Sequence, residues 1–313
     1  MKVAALERTL RDQPENHASW LAYGELLLER GDARGTLIRL EQRRTRVGPA
    51  DRDAVEREIA ALVREHERSW DAELPPGVTV LARRYGFPVK VAVEWSDGAP
   101  VVIEQALRAP FVTALGIRPV ADDGEYGWDE DLRDAAEPKP AASVETGALA
   151  TLGLGRLVEL DLSYLRIGAL GAQALAVSAY LRGEASDAGA LAASNATGRI
   201  ETLDLRYCRI GDTGLAALTA SPCFRGVRRL RLQRNALTAE GVRSLHQLEG
   251  LTELDLRYNQ IGEEGAQALL DAPFIGSLRR LLLYGADVGD VGAKILASAP
   301  RLTPALRSYW RTV

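Results

Sequence analysis

One pattern recurs five times in the second half of the chain and restricts the fold more than any other feature. It reads LVELDLSYLRIGALGAQAL at 157–175, IETLDLRYCRIGDTGLAAL at 200–218, VRRLRLQRNALTAEGVRSL at 227–245, LTELDLRYNQIGEEGAQAL at 251–269 and LRRLLLYGADVGDVGAKIL at 278–296. The five align without a gap on LxxLxLxxNxIxxxGxxxL, and the first interval is lengthened by an insertion around 181–198. Self-similarity at a fixed period means stacked units. Alternating leucines such as Leu203 and Leu205 predict a short strand that buries one face. Ile210, Leu215 and Leu218, on the segment that follows, pack against that face. One unit cannot finish its own core, so a neighbour must supply the missing side.

The five units resemble leucine-rich repeats, and the IGxxGAxAL run after the strand is similar to the ribonuclease-inhibitor type. The resemblance implies an α/β fold: a leucine-rich-repeat solenoid bent into a partial horseshoe, with a parallel sheet on the concave face and helices on the convex face. It also implies that the template asparagine, kept as Asn235 and Asn259, satisfies backbone groups of neighbouring loops. Leu165, Cys208 and Ala286 stand in its place elsewhere. Cysteine is tolerated there, so Cys208 is expected as a buried member of the ladder. Val112, Leu115, Ile117 and Val120 fit the first half of the template as a degenerate repeat. The strand at 89–94 is expected to cap the open edge, making the helical module and the repeats one rigid body. Leu302, Leu306 and Trp310 are expected to close the other end.

Ahead of the repeats the chain reads as a small all-α module. A stripe at Val3–Leu6 and Leu10, a helix from about Trp20 to Arg30 capped by Asn16 or Ser19, a third over Arg34–Arg46 and a fourth over about Arg52–Trp70 are joined by short turns, which makes them antiparallel neighbours. From Val78 the period changes to two, predicting strands at 78–82 and 89–95, then a helix near 101–108 and a strand at 112–117. Residues 6–42, with Pro14-Glu15-Asn16, Trp20, Leu21, Tyr23, LERGD at 28–32 and the RGxLIRL run at 34–40, are similar to the repeat-companion module that precedes leucine-rich repeats in bacterial proteins of planctomycetes and myxobacteria. The expected division is 1–75 helical repeat-companion module, 76–120 capping strands and degenerate repeat, 121–156 acidic insertion and connector, 157–300 repeats, and 301–313 C-terminal cap.

Charge and composition exclude several classes. The net charge of −4 is the sum of 0 over residues 1–70, −6 over 71–156 and +2 over 157–313, and the acidic excess lies in Val120–Pro140. No basic stripe stands out, so the phosphate-neutralising footprint of a nucleic-acid binder is not expected. Of 39 basic residues only Lys2, Lys90, Lys139 and Lys294 are lysines, which reads as coding bias more than as a set of phosphate forks. Two cysteines, Cys208 and Cys223, and the absence of a CxxC or Cys/His cluster argue against a disulfide scaffold or a zinc site. Glu7 and Arg8 interrupt the start before an apolar stretch can form, and no apolar run is of bilayer length, so a cytoplasmic protein that neither enters nor crosses a membrane is expected.

Chemistry-bearing constellations are scarce. His17, His66 and His246 fall in different units, no GxSxG or GxxxxGK[ST] is present, and Gly153-x-Gly155 precedes a strand instead of following one. No cofactor and no catalysis are expected. Outward columns of the strands offer another kind of site: Tyr164, Arg206, Tyr207, Arg231, Arg234, Asp255, Arg257, Tyr258 and Tyr284 form a Tyr/Arg/Asp face of the type that carries hot spots. Asp204, Arg231 and Asp255 are lateral neighbours that could equally form an ion-pair ladder. Tyr126 and Trp128 in the acidic insertion are secondary candidates for a partner-binding site. The expected function is therefore a protein–protein interaction module, a scaffold or inhibitor with a protein partner. Alternatives are a small-GTPase regulator resembling Ran GTPase-activating protein, or an enzyme or toxin with an unrecognised site.

Overall fold

The computed structural model describes residues 2–120, 146–186 and 199–310. Most of the acidic insertion, with Tyr126 and Trp128, lies outside these residues, as do 187–198 of the insertion between the first two repeats. The described chain divides into two compact units, Met1–Val93 with Val101–Leu115, and Glu94–Pro100 with Gly116–Val313.

The first unit starts with α1 (Lys2–Asp12), α2 (His17–Glu29), α3 (Ala33–Arg46) and α4 (Pro49–Asp71). Asn16 caps α2 by accepting from the Ser19 amide, and Asp32 caps α3 by accepting from that of Arg34. α4 begins earlier than the apolar pattern suggests because Pro49 at its first turn has no amide to leave unsatisfied. The helices pack in chain order, α1 on α2, α2 on α3 and α3 on α4. Gly35 permits the closest approach: a β-carbon there would lie 2.7 Å from the Gly24 carbonyl oxygen.

A hairpin follows, with β1 (Val78–Arg84) antiparallel to β2 (Phe87–Glu94) and Arg84 opposite Phe87. Its two-residue turn, Tyr85-Gly86, has φ of 50° and 83°, the pattern of a type I′ connection whose twist suits the strands. The hairpin completes the core of the helices. Leu10, Trp20, Tyr23, Leu27, Ile38, Phe87 and Phe111 form one buried cluster, with the Trp20 and Phe111 rings 5.0 Å apart. Arg34, 8% exposed, lies with its guanidinium 4.4 Å over Phe87 and forks onto Glu73 while also holding Asp32. Such a charge is tolerated inside because its donors are matched.

α5 (Ala99–Ala106) and β3 (Ala114–Arg118) carry the chain towards the repeats. Val112, Leu115 and Ile117 are buried, while Val120 is 54% exposed. The second unit continues with α6 (Thr146–Leu149), β4 (Glu159–Asp161), α7 (Gly168–Ser186), β5 (Thr202–Asp204), α8 (Gly211–Ala220), β6 (Arg229–Arg231), α9 (Ala239–Ser244), β7 (Glu253–Asp255), α10 (Gly262–Asp271), β8 (Arg280–Leu282), α11 (Gly285–Ser298) and α12 (Pro304–Trp310). β4 to β8 pair in parallel and in register, each leucine opposite the next: Leu160, Leu203, Leu230, Leu254, Leu281. Consecutive helices also pack on one another. This is an α/β repeat fold, and its interior is leucine: Leu162, Leu205, Leu232 and Leu256 have no exposed surface. Leu302 is buried at the C-terminal end.

The asparagine positions behave as a ladder. Asn235 donates to the carbonyls of Leu205 and Gln233 and its side-chain oxygen receives the Ile210 amide. Asn259 repeats the arrangement one unit later, receiving the amides of Asn235 and Leu237 and donating to the Leu232 and Leu256 carbonyls. Cys208 is fully buried and its thiol donates to the Leu162 carbonyl at 3.0 Å, so it fills the asparagine position as expected. The last rung was not anticipated. Ala286 occupies the aligned position, but Asp287 beside it receives backbone hydrogen bonds from Tyr284, Tyr258 and Asn259 and closes the ladder.

Candidate functional site

The strands of the repeats are three residues long, and three of them, β4, β5 and β7, end on an aspartate that begins the turn, while β6 and β8 end on Arg231 and Leu282. In β4, β5 and β7 the carboxylate of Asp161, Asp204 or Asp255 accepts the amide two residues on, of Ser163, Arg206 or Arg257. This local bond turns the chain away from the extended path. Where the residue two positions on is arginine, its guanidinium closes on the same carboxylate. Arg206 Nε lies 3.0 and 3.1 Å from the Asp204 oxygens, and Arg257 forks onto Asp255 at 3.0 and 2.8 Å. Asp32 and Arg34 make the same local unit in the first part of the chain.

The tyrosine column lies beyond the strands, within these turns, and not on the strand face where the alternation placed it. Tyr164, Tyr207, Arg234 and Tyr258 have φ of 70°, 59°, 54° and 60°. A left-handed conformation costs an L-residue roughly 1–2 kcal/mol, so it persists only where the surroundings fix it. Here the amides of Tyr164, Tyr207 and Arg234 donate to the carbonyls of Arg206, Gln233 and Arg257 in the next unit, which prolongs the parallel pairing past the strand ends. The shared backbone angle sends the side chains out along one line at the repeat spacing. Tyr164 and Tyr207 consequently stack with ring centres 4.7 Å apart and planes at 15°, and Arg234 lies 5.6 Å over the Tyr207 ring. Farther along, Tyr258 meets Tyr284 edge-on at 5.1 Å, with the Arg257 guanidinium 5.9 Å over Tyr284. Tyr284 belongs by alignment to the arginine column. It reaches Tyr258 because α11 starts directly after it and Gly285 takes the tyrosine position.

Two triads therefore form among the residues singled out in the sequence, Tyr164–Tyr207–Arg234 and Tyr258–Tyr284–Arg257. Arg231 is placed differently: its guanidinium is 3.0 Å from Asp204, directly opposite in the register, and its side chain remains 48% exposed. Asp255 is 5% exposed with both oxygens engaged by Arg257, so it positions that arginine and presents no open carboxylate. This realises part of the ion-pair ladder that competed with the binding reading. Burial works against the Arg206 charge, but the charge and hydrogen bond of Asp204 outweigh it and its pKa is raised. For Arg257 the hydrogen bonds it donates to Asp255 lead, opposed by burial and helped by a hydrogen bond with Tyr284, and its pKa is raised. Both guanidiniums are fixed cations.

Two residues of the turns were missed. Arg166 and Arg209, two places after Tyr164 and Tyr207, also adopt positive φ, 47° and 53°, and border the tyrosine stack along the chain. The YxR spacing at 164–166 and 207–209 was the available clue. Two of the three histidines serve local structure: His66 stacks on Trp70, and His246 hydrogen-bonds to the Ala268 carbonyl of the next unit. Among the described residues no cluster of His, Cys, Asp or Glu is arranged to hold a metal, and no helix is long and apolar enough to cross a membrane.

Comparison with known families agrees with the repeat fold. Residues 200–218 and 251–270 each match the family model of the leucine-rich repeat. These are the second and fourth of the five units, the two whose sequences run LDLRY. No curated protein matches the chain.

Proposed function

We propose that this chain is a non-catalytic protein–protein interaction module of the cell interior, and that it captures a folded protein partner on the Tyr/Arg turns that follow the strands of its leucine-rich-repeat solenoid. Leucine-rich repeats generally serve to bind proteins, and the two matching segments support the general class. One observation carries the choice of face: the tyrosines come as preassembled pairs, one stacked at 4.7 Å and one edge-on at 5.1 Å, each with an arginine over a ring. Aromatic side chains already ordered in the free protein lose little freedom on binding and offer large contact areas with a polar tip. Tyr164, Tyr207, Arg234, Tyr258, Tyr284 and Arg257 are the contact residues in this reading, with Arg206 and Arg231 beside them and Asp255 as a positioning residue. The resemblance of residues 6–42 to a repeat-companion module fits a bacterial protein of this kind.

The test is affinity capture from a lysate of the source cells, comparing the wild-type chain with the Tyr207→Ala/Tyr258→Ala variant by mass spectrometry. A hot-spot tyrosine contributes ~2 kcal/mol or more, so the double variant is expected to lose a bound partner by well over tenfold. Its own unfolding midpoint should fall but leave a cooperative transition, since each lost ring contact is worth ~0.5–1.5 kcal/mol. Retention of the same partner by both baits would overturn the assignment of the face.

A further inference from the structure

We infer that the partner taken up by the tyrosine–arginine turns is an acidic protein surface, one that presents clustered Asp and Glu carboxylates. The inference rests on the proposed binding face and specifies the chemistry that the face selects.

Its ground is the unequal exposure of charge along the turns. The stretches 163–166, 206–209, 233–236, 257–260 and 284–287 contain five guanidiniums, of Arg166, Arg206, Arg209, Arg234 and Arg257, and one carboxyl, that of Asp287. Asp287 is buried and its oxygens accept backbone amides of Tyr284, Tyr258 and Asn259, so it faces inward. Below the turns, Asp204 and Asp255 are 3% and 5% exposed. They offset the charge of Arg206 and Arg257 from the protein side but offer nothing acidic to a visitor. Arg209 is exposed and Arg234 half-buried, and neither has a carboxylate partner within ion-pair distance among the described residues. An approaching surface therefore meets Arg209, Arg234 and the phenols, while Asp204, Asp255 and Asp287 lie buried behind them. Arg257 spends its fork on Asp255, but Arg234, 5.6 Å over the Tyr207 ring, and Arg209 keep their guanidinium donors for a visitor, and such planar donors suit carboxylates. A lysine-rich surface would meet like charge along the whole row.

The test uses defined probes. A fluorescein-labelled peptide of alternating glutamate and tyrosine, a lysine–tyrosine peptide of equal length and a single-stranded oligonucleotide of equal charge are titrated with the full chain by anisotropy at low salt. Three proteins are compared: wild type, Arg209→Ala/Arg234→Ala, and Arg225→Ala/Lys294→Ala, which removes the same charge from exposed positions outside the turns. The glutamate peptide should bind wild type best, lose about tenfold or more with the turn variant, and be unaffected by the control, with affinity falling as salt rises. Preference for the oligonucleotide or for the lysine peptide, equal losses in both variants, or no binding of the glutamate peptide would each overturn the inference. The binding face itself is judged separately: a partner captured through Tyr207 and Tyr258 whose affinity ignores Arg209→Ala/Arg234→Ala leaves the face standing and removes only the acidic chemistry.

Discussion

Single residues in this chain are often fixed by backbone groups they must satisfy, and Cys208 shows the consequence most simply. Its thiol takes the place of an amide side chain, donating one hydrogen bond to the Leu162 carbonyl from a site without solvent. Burial, with Asp204 nearby, pushes its pKa up from the ordinary 9.0. The folded protein therefore keeps this proton at pH values where the unfolded chain releases it. Stability from this group is complete below about pH 9 and falls as the pH climbs beyond it, by about 1.4 kcal/mol per pH unit. Urea midpoints measured from pH 8 to 10.5 should show that slope in wild type and a smaller one in Cys208→Ala. Tyr23, whose pKa is also raised by burial and by its hydrogen bond to Glu7, contributes equally to both proteins and cancels in the comparison. Equal slopes would mean that the thiol is accessible to solvent. The ladder role of Cys208 was legible in the sequence because its position in the template was unambiguous. That of Asp287 was not, because it depends on the last unit entering α11 at Gly285, four residues earlier in the repeat than α7, α8 and α10 begin, a choice made by packing.

At the scale of elements, close contacts decide more than propensity. α2 and α3 cross at Gly24 and Gly35, and a methyl group on Gly35 would meet the Gly24 carbonyl at 2.7 Å and the Leu28 side chain at the same distance. Neither helix can yield without disturbing the Trp20 cluster, so Gly35→Ala is expected to lower stability by about 1–3 kcal/mol, despite the higher helix propensity of alanine. A chemical-denaturation midpoint equal to or above that of wild type would show that the helices separate freely. The same competition set the strand lengths. Alternation of leucines indicates where each strand runs but says little about where it stops: all five stop after three residues, in β4, β5 and β7 with an aspartate that captures an amide two residues ahead and in β6 and β8 without one. The tyrosines were thus located correctly along the chain and assigned to the wrong kind of backbone. Nothing in hydrophobic periodicity reports a positive φ at a non-glycine residue, because that conformation is imposed by hydrogen bonds from the neighbouring unit.

For the whole molecule, the course of the chain matters as much as the elements. It leaves the first compact unit at Val93, returns at Val101 and leaves again at Leu115. Phe87 and Phe111, both beyond the four helices, sit in the core with Trp20 and Tyr23. A fragment of residues 1–75 lacks these two rings and the hairpin that carries one of them. It is expected to leave Trp20 exposed, with red-shifted fluorescence and no cooperative thermal transition, while a fragment of residues 1–120 buries Trp20 and unfolds cooperatively. Cooperative unfolding of the shorter fragment would show that the helices are self-sufficient.

What the sequence by itself determined is the stack: a motif repeated five times with leucine at fixed places specifies units that can only be completed by their neighbours, and local hydrophobic pattern is sufficient to reveal that. It also named the tyrosines of the turns and, with them, Arg206, Arg234 and Arg257, though not Arg166 and Arg209. Tertiary structure alone decided which of them meet, that Asp204 and Asp255 are buried beneath the arginines they hold, and that Phe87 and Phe111 belong with the helices. These are outcomes of hydrogen bonds and ring contacts between residues distant in sequence, or in adjacent repeats, and no periodicity within one segment encodes them.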